Sequence, residues 1–179
     1  MRLLLCLALA AACVLSLPAA ALAEKPPRVA CTCLPPDLET RALQVERIFL
    51  GTVRSIETVE TMIQPGRKDP PVIVTFDVEE GFKDASAKQQ VLHTSLTRVT
   101  CAGYPFEEGK TYLVYAYKRL ASTYERWSLY DFKTGTLDTG GLCGGTIEAS
   151  DDRAVDEIKK LREMKTSGDS RLLPRKPEL

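Results

Sequence analysis

Asparagine is absent from this 179-residue chain, histidine and tryptophan occur once each, and neither sign of charge is in excess, with 24 basic and 24 acidic residues. Without asparagine there is no acceptor for N-linked glycosylation. A solitary His93, tied by no recognisable spacing to an acid or a nucleophile, leaves no histidine metal motif and no nucleophile with its base to assign. The chain is read as a non-enzyme, and His93 as a solvent-side strand residue. The balanced charge supplies no basic stripe for a phosphate backbone, which argues against nucleic acid as a partner. Pairs such as Lys118-Arg119 and Lys159-Lys160 are read as solvated faces. The glycine pairs Gly140-Gly141 and Gly144-Gly145 lack the lysine and hydroxyl residue of a phosphate loop, and no cofactor is expected.

There is one long apolar run, and it lies at the start. Arg2 is followed by Leu3 to Leu17, Pro18 and the small-residue pattern Ala21-Leu22-Ala23. That is the anatomy of a secretory signal peptide over residues 1–23, too short for a comfortable membrane span. Arg2 is the only charged residue before Glu24, so the remainder carries one acid in excess. Its length fits one domain, expected over 24–165, in an exported monomer found in the periplasm or outside the cell.

That remainder keeps four cysteines, Cys31, Cys33, Cys101 and Cys143, in a compartment where disulfides persist. A one-residue spacer strains a Cys31–Cys33 bridge, so each of these two is expected to reach one of the two distant cysteines, in either of two pairings. Closing a loop of about 70 residues stabilises by on the order of 4 kcal/mol in the chain-entropy model. No helix start or cationic cluster adjoins the Cys-x-Cys to lower a thiol pKa, and the scattered ligands do not suit zinc. The cysteines are read as two disulfide staples that clamp Cys31-Thr32-Cys33 and hold Thr32 up between them.

The rest of the chain reads as strands between two helices. Asp37 can cap a helix over Leu38 to Glu46, with Leu38, Ala42 and Val45 as its apolar stripe. Ile48 to Thr58 reads as a strand with Gly51 at a bulge, and Met62 to Pro71 as a loop. Val72, Val74, Phe76 and Val78 alternate as a half-buried strand, Glu80 to Gln89 turns, and Val91 to Leu96 returns. Further strands are expected at Thr111 to Tyr117 and Trp127 to Phe132, after a loop at Cys101 to Pro105. Together these describe a mainly β fold, a small antiparallel barrel. Tyr112, Tyr115, Tyr117, Trp127 and Tyr130 are read as packing residues rather than a stacking platform for bases. Gly135 to Gly145 supplies turns that return Cys143 to the anchor. Ser150 can cap a last helix with a stripe of Val155, Ile158 and Leu161 or Met164, and 166–179 is expected to be a disordered tail.

Cys31-Thr32-Cys33-Leu34-Pro35-Pro36, a helix, and Glu46-Arg47-Ile48-Phe49-Leu50-Gly51-Thr52-Val53 resemble the start of the tissue inhibitors of metalloproteinases and the wider netrin-like domains. The resemblance continues through Phe82-Lys83, Cys101-Ala102-Gly103-Tyr104, the Gly109-Lys110-Thr111-Tyr112-Leu113-Val114-Tyr115-Ala116 strand, Cys143 and the closing helix. It implies an OB-type five-stranded barrel with flanking helices and the pairings Cys31–Cys101 and Cys33–Cys143. It also implies a mechanism: the free amine and carbonyl oxygen of Cys31 chelate the catalytic zinc of a target protease, and Thr32 enters its specificity pocket. Leu34 and the loop Cys101, Ala102, Gly103 and Tyr104 complete the contact ridge. A chain beginning at Glu24 presents an amide at Cys31 instead. The same barrel then serves as a non-inhibitory protein-binding module.

Overall fold

The computed structural model describes residues 34, 36–59, 70–96, 101, 103–119 and 135–174. The signal segment, Cys31 to Cys33, Ala102 and the expected strand at Trp127 to Phe132 lie outside the described residues. Within them the order is α1 (Leu38–Gln44), β1 (Arg47–Thr58), β2 (Pro71–Lys83), β3 (Gln89–Ser95), β4 (Thr111–Lys118), β5 (Leu137–Asp138), β6 (Ile147–Glu148) and α2 (Asp152–Thr166). Each pairing among these strands is antiparallel, and the sheet runs β3-β2-β1-β4-β5, with β6 also on β4. The terminal strands β3 and β5 approach each other, so five strands form a nearly closed barrel flanked by two helices.

Alternation along the strands divides the core in two. Phe49 and Val53 of β1, Val72, Val74 and Phe76 of β2, Leu92 of β3, and Tyr112, Val114 and Ala116 of β4 fill one side. Here Phe76 meets Phe49 and Phe106 edge-on at 5.5 and 5.2 Å, a geometry that aromatic quadrupoles favour. Ile48, Leu113 and Tyr115 point the other way, onto Leu38, Ala42 and Val45 from the α1 segment and Ala154, Ile158, Leu161 and Met164 from α2. Helices on one face and strand neighbours on the other explain why Tyr112 to Ala116 is buried at every position rather than at alternate ones. Tyr112 and Tyr115 are core residues and offer no platform for stacked bases.

Local chemistry sets the ends of the elements. Asp37 caps α1 by accepting from the Thr40 amide at 2.8 Å, and buried Lys83 donates its ammonium to the Ala42 carbonyl at the other end at 2.7 Å. A cation at a helix C-terminus complements the exposed carbonyls there. The β1–β2 register slips beside Gly51, where a Cβ would press on the Asp77 carbonyl at 3.0 Å, so the bulge read at that glycine is present.

Four expectations are corrected. Helix α1 stops at Gln44 because Val45 is extended. Strand β2 does not turn at Glu80 but continues to Lys83, pairing Glu80 with Leu50 and Lys83 with Ile48. Asp151 rather than Ser150 caps α2, accepting from the Arg153 amide at 2.9 Å. Ala154, Glu157, Ile158, Leu161 and Met164 form its buried face, and Val155 is 57% exposed. The chain beyond Lys165 is not irregular throughout: Thr166 ends α2, Ser170–Leu172 forms a 3-10 turn, and Leu172 enters the core beside α1.

Candidate functional site

The ridge expected from the sequence brings two distant segments to the stretch from Cys31 to Leu34, and the described residues include parts of both. Cys101 and Cys143, the two distant cysteines of the expected staples, lie on these segments. The Leu142 amide donates to the Cys101 carbonyl at 3.0 Å, so the loop of one cysteine is hydrogen-bonded to the turn of the other. Partners for cysteines one residue apart must lie in one neighbourhood, and a direct backbone bond between the two segments is compatible with that. Leu34 is 97% exposed and available for contact.

The Cys101 loop is held against the barrel. Cys101 sits at φ 58°, a left-handed conformation that costs a non-glycine residue about 1–2 kcal/mol. Gly103 packs so tightly on Ser95 that a Cβ would collide with its carbonyl, and the Tyr104 amide donates to that same carbonyl at 2.9 Å. The Tyr104 ring lies 4.7 Å from Phe106 and 5.8 Å from Tyr112, so one edge of the loop is rooted in the barrel core.

The Cys143 turn depends on its glycines. Residues 141–143 form a 3-10 turn entered at Gly140, φ 65°, and a Cβ on Gly144 would collide with the Thr139 carbonyl. Gly145, at φ 91°, lies over the guanidinium of Arg41. Arg41, on α1, is 3% exposed. Its Nε donates to the Pro36 carbonyl at 3.0 Å, Nη1 to the Gly145 carbonyl at 3.2 Å and Nη2 to Glu157 Oε1 at 2.6 Å. The Tyr115 ring lies 4.4 Å below its Cζ. Burial and the neighbouring Glu157 carboxylate push the Tyr115 phenol well above its ordinary range, so it remains a proton donor.

Sequence reasoning missed Arg41 and Glu157, although a signal was present. Arg41 lies at i+3 on the stripe of Leu38, Ala42 and Val45, and Glu157 lies at the same offset from Ala154 on α2. A charge of opposite sign on each of two apolar stripes marks a buried pair.

His93 pairs with Ile73 on β2 and lies half-buried on the same face of β3 as exposed Gln89 and Val91. Burial, aided by the Arg119 charge, lowers its imidazole pKa. It lines a cleft of about 300 Å³ together with Glu46, Arg47 and Lys118. Among the described residues no cluster of His, Cys, Asp and Glu is arranged to hold a metal, and no helix is long and apolar enough to cross a membrane. Chemically, the segments that carry Cys101 and Cys143 present a braced surface. No family model matches the chain, and no curated protein matches it significantly.

Proposed function

We propose that this protein is an exported inhibitor of zinc metallopeptidases built on an OB-type, netrin-like barrel, acting through Cys31, Thr32, Cys33 and Leu34 with Cys101, Ala102, Gly103 and Tyr104 beside them. The observation that carries the reading is the hydrogen bond from Leu142 to Cys101, which holds the two downstream cysteine segments side by side, an arrangement that suits a Cys-x-Cys anchor. The braced Cys101 loop and the exposed Leu34 support it, since rigid ridges lose little entropy on docking. In this reading the disulfides are Cys31–Cys101 and Cys33–Cys143.

The chemistry is substitution at a metal. In a chain cleaved before Cys31, its amine and carbonyl oxygen take the open position on the target's zinc, displacing the water that would attack a peptide, and Thr32 fills the adjoining pocket. The zinc belongs to the target. The inhibitor itself carries no cofactor and performs no reaction.

Intact mass and N-terminal sequencing of the exported protein test this first. A chain beginning at Cys31 that inhibits members of a zinc-peptidase panel, and loses inhibition on Thr32→Arg substitution, supports the reading. A chain beginning at Glu24 defeats amine chelation for that form, because a peptide nitrogen is no comparable ligand. The barrel would then be a protein-binding module, to be tested by pull-down.

A further inference from the structure

Arg41 joins three segments that are distant in sequence, and two of the groups it holds are backbone carbonyls in irregular chain. Pro36 lies three residues after Cys33, Gly145 lies two residues after Cys143, and Glu157 belongs to α2. We propose that Arg41 is a positioning residue that fixes Pro36, at the start of α1, against the Cys143 turn, with α2 holding the guanidinium in place through Glu157.

A guanidinium is planar and its donors are rigidly spaced, so Nε and Nη1 fix the two carbonyls relative to each other in one plane. Lysine has the charge but only a single donor centre and cannot do this. The carboxylate of Glu157 is itself committed on both oxygens, Oε1 to Arg41 and Oε2 to the Tyr115 hydroxyl at 2.7 Å. The ring of Tyr115 closes the lower face. Above, Gly145 leaves room that any Cβ would take from the guanidinium. Arg41 is thus constrained on each side, as a gauge between two segments must be.

Carbonyls in irregular chain lack ladder partners, and Arg41 supplies donors to two of them. Burial of a well-packed apolar side chain often serves stability as well as a buried ion pair does. The barrel-interior cluster of Phe49, Val74, Phe76, Leu92 and Val114 does not include the Arg41 neighbourhood, whose apolar partners belong to the helix-side cluster. Loss of the fork therefore loosens the cysteine-bearing turn while strands β2 and β3 keep their pairing. The consequence for protease binding rests on the ridge reading given above, whereas the positioning itself does not.

The test is amide hydrogen exchange on the full exported chain, followed in peptides spanning 140–146 and, as an internal reference, 71–77 and 89–95. The Leu142 and Gly144 amides are hydrogen-bonded and report directly on the turn. For Arg41→Lys and Arg41→Met the expected result is exchange about tenfold faster or more in 140–146, with the β2 and β3 peptides unchanged. Glu157→Gln, which removes the charge that holds the guanidinium from α2 and lies outside the turn, should give the same local pattern and carries the test if the Arg41 variants fail to fold. Unchanged exchange in 140–146, or a uniform rise across all three peptides, would overturn the proposal. Where the parent chain inhibits a peptidase of the panel, the variants should weaken inhibition by the factor by which they lower the population of the ordered turn. A parent that inhibits none, combined with the local exchange pattern, leaves Arg41 as a positioning residue and removes the inhibitor reading alone.

Discussion

The hydroxyl of Tyr115 donates to Glu157 Oε2 at 2.7 Å and thereby ties the centre of β4 to the buried face of α2. Both groups are buried, so neither can exchange this bond for one to water. Tyr115→Phe should lower stability by about 1–3 kcal/mol, the usual cost of leaving a buried acceptor unpaired. Urea denaturation should show a lower midpoint at an unchanged slope, since the surface exposed on unfolding is nearly the same.

The phase of α2 is set by the packing of Ala154, Ile158, Leu161 and Met164 and can be read by two substitutions. Leu161 is fully buried among residues of both helices, and Leu161→Ala should cost about 2–5 kcal/mol through lost burial and a residual cavity. Val155 is mostly exposed, and Val155→Ala should change stability by no more than about 0.5 kcal/mol. Equal costs in thermal or urea unfolding would mean that the helix is rotated from the phase described.

Two glycines separate lack of room from backbone strain. Gly144 has an ordinary φ of −73°, yet an added Cβ meets the Thr139 carbonyl, so Gly144→Ala must displace the turn after Cys143. A loss of about 1–3 kcal/mol is expected, as for other forced overpacking. Gly109, at φ 77°, has nothing within 4 Å of the added atom. Gly109→Ala should cost only the left-handed strain, about 1 kcal/mol. Hydrogen exchange in residues 140–146 should rise for Gly144→Ala alone.

Much of this fold was legible because its signals are local. The alternation of Val72, Val74 and Phe76 specified a barrel-facing strand, and the Asp37 cap with Leu38, Ala42 and Val45 specified α1. The end of β2 was not legible, since Glu80 and Gly81 look like a turn and only pairing with Leu50 and Phe49 shows that the ladder continues. The helix cap failed for a similar reason, since Ser150 and Asp151 are both good caps, and the stripe misplaced Val155 because Ala154 and Glu157, a small and a charged residue, carry no apolar signal for the buried face. At the candidate site, Cys-x-Cys specified that two distant cysteines must meet, and the bond between the Leu142 amide and the Cys101 carbonyl brings their segments together. The guanidinium that braces one side of that meeting was hidden because charge on a helix is ordinarily read as solvated.

The 3-10 turn after α2 carries a pH dependence of defined sign. Asp169 accepts from the Arg171 side chain, Nη2 to Oδ2 at 2.6 Å, and from the Arg171 amide at 2.9 Å, which together hold its carboxyl down to about 2. A folded-state value below the unfolded one means that the contribution is fully present above the ordinary aspartate range and is lost as pH falls from about 4 through about 2. This carboxylate fixes the turn that delivers Leu172 to the core beside α1. Asp169→Asn should therefore lower stability at pH 5 and progressively cease to matter as the pH approaches 2, where the parent aspartate is itself protonated. Urea midpoints of parent and variant measured at about pH 5, 3 and 2 should converge toward the acid end. A gap that stays constant across this range would assign the asparagine's effect to altered capping geometry rather than to the charge.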